Sequence, residues 1–196
     1  AGLVGQLGVR AISLGVARDE HDDLAALVRR GLEADFLILS GGVSAGVLDL
    51  VPGVLAELGV RQVLHKVNLK PGKPIWFGVF ERPEGNKTLV FGLPGNPVSS
   101  FVCFQLFVRL ALDSGGFATG LPTAMAILAT PHVHRGNRPT YWPCKVVRDN
   151  AGNQVTPLPW KGSADLKTLA AANCLALFPG DEREYGAGEE LAVYIL

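Results

Sequence analysis

The period of the apolar positions changes along this chain. Residues 9–15 alternate into a short apolar strand that ends at Gly15. Asp19, Glu20, Asp22 and Asp23 then load the start of a helix with carboxylates, where its dipole favours acid. Leu24, Leu27, Val28 and Leu32 give that helix one apolar stripe. Asp35-Phe-Leu-Ile-Leu39 is a short unbroken apolar run of the kind buried parallel strands carry. A second helix is predicted on Leu50, Val51, Val54, Leu55 and Leu58, stopping near Gly59. Residues 60–65, 75–80 and 88–92 read as further strands. Asn96 as N-cap and Pro97 as first helical residue open a helix through Phe101, Phe104, Leu106, Phe107 and Leu110. Strand and helix therefore alternate as far as about residue 113. That pattern predicts an α/β layered domain with a mostly parallel sheet.

The pattern breaks at Asp113-Ser-Gly-Gly-Phe-Ala-Thr-Gly-Leu-Pro122. Beyond it, residues 123–130, 141–148 and 190–196 read as strands separated by polar turns, and 164–171 gives the one helical signal. The chain is expected to divide into an α/β domain over 1–118 and a small β-barrel domain over 119–196.

With 196 residues, 48% of them hydrophobic and 18% charged, the chain is long and apolar enough for a real core. Lys plus Arg equals Asp plus Glu, so bulk attraction to nucleic acid or to an anionic membrane is not expected, and any anion site must be local. Cys103, Cys144 and Cys174 are odd in number, widely spaced and form no CxxC pair. They read as reduced structural cysteines of a cytoplasmic protein, with Cys103 buried among Phe101, Val102 and Phe104. No apolar run reaches membrane-spanning length, and the first residues lack the features of a signal peptide. The chain reads as a fragment that opens partway through a helix.

Three Gly-rich turns are expected to carry chemistry: Ser40-Gly-Gly-Val-Ser44-Ala-Gly46, Lys70-Pro-Gly-Lys73-Pro74 and Phe91-Gly-Leu-Pro-Gly-Asn-Pro97. Each bends the backbone at the end of an expected strand, which can expose N–H groups to an anion. The first and third stand where ligands bind in α/β sheets, outside the carboxyl ends of the strands. Each can equally be a tight connection and nothing more. Ser44 adds a hydroxyl near a helix N-terminus, where anions are held. Lys70 and Lys73, with Lys66 nearby, are stiffened by Pro71 and Pro74, which lowers the entropy cost of holding charge in place. Asp49 reads either as an acid favoured by the helix dipole or as a Mg²⁺ ligand beside an anion, and Asp19 could supply a second carboxylate. Arg138 reads alone as a surface residue. The four histidines show no metal spacing, and none is assigned to chemistry.

In this order the motifs resemble the molybdopterin molybdenumtransferase family, the MoeA protein of bacteria and the E domain of gephyrin. Leu14-Gly-Val-Ala-Arg-Asp19 resembles the family's strand-to-Asp segment, and Lys161-Gly-Ser-Ala-Asp-Leu-Lys-Thr-Leu-Ala-Ala-Ala-Asn173 resembles a segment of its C-terminal domain. The resemblance implies a first domain like the MogA adenylyltransferase and a small barrel after it. It implies insertion of molybdate into adenylylated molybdopterin with Mg²⁺, releasing AMP. Lys70, Lys73, Ser44 and Ser99 match the family's anion-binding positions, with Gly41, Gly42, Pro74 and Asn96 in the same turns. Arg138 and Ser163 match positions its second domain brings to the pocket, and Asp49 and Asp19 match its essential acids, with Asp49 as metal ligand. Val47 stands where the family often has an acid. The family's further domains, which complete the site across a homodimer, precede the segment matched here. Two other readings are a molybdopterin-binding or scaffold module without turnover and a MogA-like adenylyltransferase. The lysine turn, the Leu-Pro-Gly-Asn-Pro turn and the β domain speak against the last.

Overall fold

A computed structural model describes residues 2–43, 49–150 and 152–196. The chain forms two compact units that interleave along the sequence. The first comprises Ala1–Val67, Pro74–Gly95 and Phe107–Thr119, and the second Asn68–Lys73, Asn96–Leu106 and Gly120–Leu196.

The first unit holds a four-stranded sheet in the order β1 (Phe36–Ser40), β4 (Lys87–Leu93), β3 (Trp76–Glu81), β2 (Arg61–His65), with helices α1 (Gly2–Gln6), α2 (His21–Gly31), α3 (Leu50–Glu57) and α5 (Arg109–Ser114). In α2, Asp22 and Asp23 occupy the first turn and Arg29 and Arg30 the last, both matched to the helix dipole. Its inner face buries Leu24, Ala25 and Val28. They share a core with Val51, Val54 and Leu55 of α3 and with Leu37, Trp76 and Val90 of the sheet.

Two expectations need correction. Among the described residues of this sheet, parallel pairing is confined to β1 and β4; β3 runs antiparallel to both β4 and β2. Only residues 82–86 separate β3 from β4, too few for the crossover that parallel strands require. Residues 9–15 form no strand. Their alternation has no hydrogen-bonding neighbour among the described residues, and Ile12 and Val16 stay 69% and 94% exposed. Of this segment only Leu14 packs against the core, joined by Ala17 just beyond it.

The second unit is a closed five-stranded barrel, β11 (Glu190–Ile195), β5 (Thr123–Leu128), β8 (Gly152–Pro157), β7 (Thr140–Asp149), β9 (Cys174–Phe178), with β9 pairing back to β11. Closure leaves no open sheet edge. The barrel core includes Leu128, Cys144, Val155, Cys174, Phe178 and Val193, all at most 1% exposed. A short ribbon pairs β6 (His132–Val133) with β10 (Glu184–Tyr185). Helices α4 (Pro97–Cys103) and α6 (Leu166–Ala171) also contribute. A π-helical turn, Phe104–Val108, joins α4 to α5. No helix among the described residues is long and apolar enough to cross a membrane.

Candidate functional site

In the first unit, the carboxyl ends of β1 and β4 lie side by side. Ser40 pairs with Leu93, and the N–H of Gly41 donates to the Leu93 carbonyl at 3.0 Å. Gly41 and Gly42 take φ values of +94° and +67°, a turn that favours glycine. The next residue, Val43, is buried with its Cγ1 only 2.6 Å from where a side chain on Gly92 would begin. That contact explains the Gly of Phe91-Gly-Leu by packing rather than chemistry. The ring of His65 donates from Nε2 to the Val43 carbonyl at 3.0 Å, tying the turn to the end of β2. Ser44 and Val47 lie outside the described residues.

Asp49 occupies the N-cap of α3 with extended backbone, and its side chain makes no capping bond. Asp19 is exposed in the bend before α2. Together with Ser40, Gly41 and Gly42 it lines a cleft of about 500 Å³ beside β1. Pro74, half-buried, also belongs to this unit. Among the described residues, no group of three or more His, Cys, Asp or Glu side chains could hold a metal ion.

In the second unit, Lys70 forms an isolated parallel bridge with Thr140: its N–H donates to the Pro139 carbonyl and its carbonyl accepts from Tyr141 N–H, both at 2.8 Å. The Arg138 guanidinium donates to the Leu69 carbonyl at 3.3 Å. Lys70 and Arg138, 68 positions apart in sequence, are thus carried by two segments stitched together. The Lys70 ammonium stands 5.9 Å from the centroid of the buried Trp160 ring, within cation–π range. Lys73 is exposed. Between the lysines, Gly72 takes a φ of +122° and its carbonyl accepts the Cys103 thiol hydrogen, which fastens the turn to α4.

Asn96 stands at the N-cap of α4 with extended backbone, but its side chain caps nothing, contrary to expectation. Pro97 has no N–H to cap, and the next donor, Val98 N–H, goes to the Ser163 carbonyl at 3.1 Å. Ser163 therefore meets the helix start through its backbone, beside the buried Ser99. Asp165 holds the Ser163 loop: it accepts from the N–H and hydroxyl of Thr168 and from the N–H of Lys161. Those bonds keep its carboxyl below the usual carboxylate range.

Lys70, Lys73, Asn96, Ser99, Arg138 and Ser163 all belong to the second unit. Asp19, Gly41, Gly42, Asp49 and Pro74 belong to the first. Sequence reasoning missed Thr140, His134 and Trp160. Thr140 and His134 are fully buried, and His134 Nε2 meets Thr140 Oγ1 at 2.9 Å. No local pattern marks them, because what distinguishes them is a pairing between segments far apart in sequence.

The fold is an α/β sheet unit with glycine turns at its carboxyl edge, accompanied by a closed five-stranded barrel unit. Residues 1–114 match the family described as "Probable molybdopterin binding domain", and residues 125–196 match the MoeA C-terminal region (domain IV). The chain belongs to the molybdopterin-binding domain family. It is 35% identical over 178 residues to the molybdopterin molybdenumtransferase of Synechocystis sp., covering 88% of this chain and 42% of that protein. It is 30% identical over 195 residues to that of Bacillus subtilis, covering 97% of this chain and 44% of that protein. The crystal structure of the molybdopterin biosynthesis MoeA protein from Pyrococcus horikosii superposes with a TM-score of 0.75 at 30% identity, covering 99% of this chain and 46% of that one. The chain thus spans less than half the length of each of these relatives.

Proposed function

We propose that the chain is the molybdate-inserting part of a molybdopterin molybdenumtransferase, acting in the cytoplasm in molybdenum cofactor biosynthesis. On this reading it inserts molybdate into adenylylated molybdopterin and releases AMP. The observation that carries the reading is the stitching of the Lys70 turn to the Arg138 segment. Molybdate is a tetrahedral dianion, and Lys, Arg, Ser and backbone N–H groups are its natural donors. Lys70 and Arg138 supply positive charge from segments whose backbones are fixed, so little ordering entropy is lost on binding. Lys73, Ser99, Asn96 and Ser163 complete the donor set of that unit. The Gly41–Gly42 turn, with Ser44, and Pro74 belong to the sheet unit's share of substrate binding.

Asp49 and Asp19 are the acids of the proposal. A Mg²⁺ ion is held through one or two carboxylates together with substrate phosphate, and the carboxylate of Asp49, at the start of α3, is of that kind. Asp49 would hold the ion, which when bound neutralises charge developing on the adenylyl phosphate as AMP departs. On the family resemblance, the working form is a full-length homodimer.

A second reading has one observation in its favour, the chain's span of less than half of each relative: a module that binds molybdopterin without turnover. The two are separated by putting this chain in place of the matching segment of a full-length relative and supplying the product, as the only protein, with adenylylated molybdopterin, Mg²⁺ and molybdate. Release of AMP with formation of molybdenum cofactor supports the transferase reading. Saturable ligand uptake without AMP supports the module, and neither result sinks both.

A further inference from the structure

Thr140 is fully buried, and its hydroxyl carries one proton between two neighbours. Oγ1 lies 3.0 Å from the Arg138 carbonyl and 2.9 Å from His134 Nε2. A carbonyl can only accept. Both contacts are satisfied together only if the hydroxyl donates to Arg138 and Nε2–H of His134 donates to the hydroxyl. His134 is then the Nε2–H tautomer, with Nδ1 a buried acceptor that has no partner among the described residues. Its ring is stacked on Phe178, with centroids 5.9 Å apart and planes 8° from parallel, and its backbone N–H donates to Arg183. The imidazole therefore has no freedom to make another bond to Thr140.

The same threonine is the bridge partner of Lys70. Pro139 and Tyr141, on either side of it, hold the Lys70 backbone, and Arg138 holds the Leu69 carbonyl. We propose that Thr140 and His134 are positioning residues for the anion donors Lys70 and Arg138. The His134–Thr140–Arg138 chain of hydrogen bonds fixes the 138–141 segment, and that segment sets where both cations stand. The proposal rests on the anion-binding reading given above, and it also has a signature that needs no ligand.

The test uses the 196-residue chain with two readouts: amide hydrogen exchange without ligand, and titration with molybdate. In Thr140→Val, the Lys70 and Tyr141 amides should exchange about tenfold faster relative to the amides of the β9–β11 ladder, since a buried donor and acceptor lose their partner. Molybdate affinity should fall by a similar factor. Thr140→Ser should restore both, and His134→Phe, which keeps the stack but not the donor, should add nothing when combined with Thr140→Val. Uniformly faster exchange across the barrel would mark Thr140 as ordinary core and overturn the proposal. Unchanged molybdate affinity in Thr140→Val, with wild type binding normally, would overturn it too. If wild type takes up no molybdate, the anion reading fails, and the exchange data still decide whether these residues hold the Lys70 strand.

Discussion

The thiol of Cys103 donates to the carbonyl of Gly72 at 3.4 Å, and its sulfur lies 2.5 Å from where a side chain on residue 72 would begin. The lysine turn thus depends on a missing side chain. Gly72→Ala would meet both that sulfur and a φ of +122°, which L side chains rarely adopt. The expected loss is about 2–4 kcal/mol, from backbone strain and overpacking together. Urea unfolding followed by tryptophan fluorescence measures it. Cys103→Ala in the same background should recover the packing share and leave the strain.

Lys70→Ala should weaken molybdate binding by about 1.5–3 kcal/mol, the range for a hydrogen bond to a charged group. Calorimetric titration reads this directly. Equal affinity in mutant and wild type would remove Lys70 from the site.

Asp49→Asn keeps the shape of the side chain and removes its charge. It should abolish Mg²⁺-dependent release of AMP in a full-length relative carrying the same change, with circular dichroism and melting temperature unaltered. Turnover at the wild-type rate would show that another group holds the metal.

Phe178 should be the most costly core truncation in the barrel. It is fully buried and touches the rings of His132, His134, Trp142 and Tyr185. Phe178→Ala is expected to cost about 3–5 kcal/mol, by lost transfer energy and the cavity left behind, and Phe178→Leu distinctly less. Denaturant midpoints at constant slope give both values.

Stability should also fall in mild acid. Burial lowers the pKa of His132 and His134 below the ordinary 6.5; each is lowered further by a nearby charge, His134 for the one and Lys70 for the other. Asp181 and Glu182 act the opposite way on His134. Between 6.5 and those lowered values the unfolded chain binds more protons than the folded one. The stability associated with the neutral rings is therefore complete above 6.5 and is lost as pH drops below it. His21 works in the other direction: its hydrogen bonds to Asp22 and Glu57 raise its pKa, so its contribution is present below 6.5 and fades as pH climbs through the raised value. In a His21→Ala background, the urea midpoint should be lower at about pH 5 than at about pH 7.5. His134→Gln should reduce that difference.

The elements with strong local signals were legible in the sequence. The acid-first, base-last helix α2, the apolar run of β1 and the strands β2, β3 and β4 fall where their periodicity puts them. The three cysteines are free, as their number and spacing suggested, and Cys103 is buried, as its apolar neighbours suggested. What failed depends on partners. Residues 9–15 alternate like a strand yet have no neighbour to pair with among the described residues, and β3 runs antiparallel because a short hairpin, invisible to periodicity, reverses the chain. The strands β6, β8, β9 and β10 escaped notice because pairing, in the barrel for β8 and β9 and in the two-stranded ribbon for β6 and β10, rather than composition, defines them. For the candidate site, the lysine turn and the glycine turns stood out through Pro and Gly at fixed spacing. Asn96 carried a good capping signal that the structure spends differently, because the Ser163 carbonyl reaches the helix first. Nothing local could announce Thr140, whose neighbours are Lys70 and His134 only once the chain is folded.

The three buried thiols have a practical consequence. Cys103, Cys144 and Cys174 are each 0% exposed, and burial raises all their pKa values, those of Cys103 and Cys174 to about 12. Since the thiolate is the species that reacts, the native chain should be almost silent to alkylating reagents. Any labelling then counts moments when structure opens. Cys103 reports on the fastening of the lysine turn, while Cys144 and Cys174, paired across β7 and β9, report on the barrel wall. Mass spectrometry of the modified peptides would time the two openings separately, in one sample and with no engineered probe.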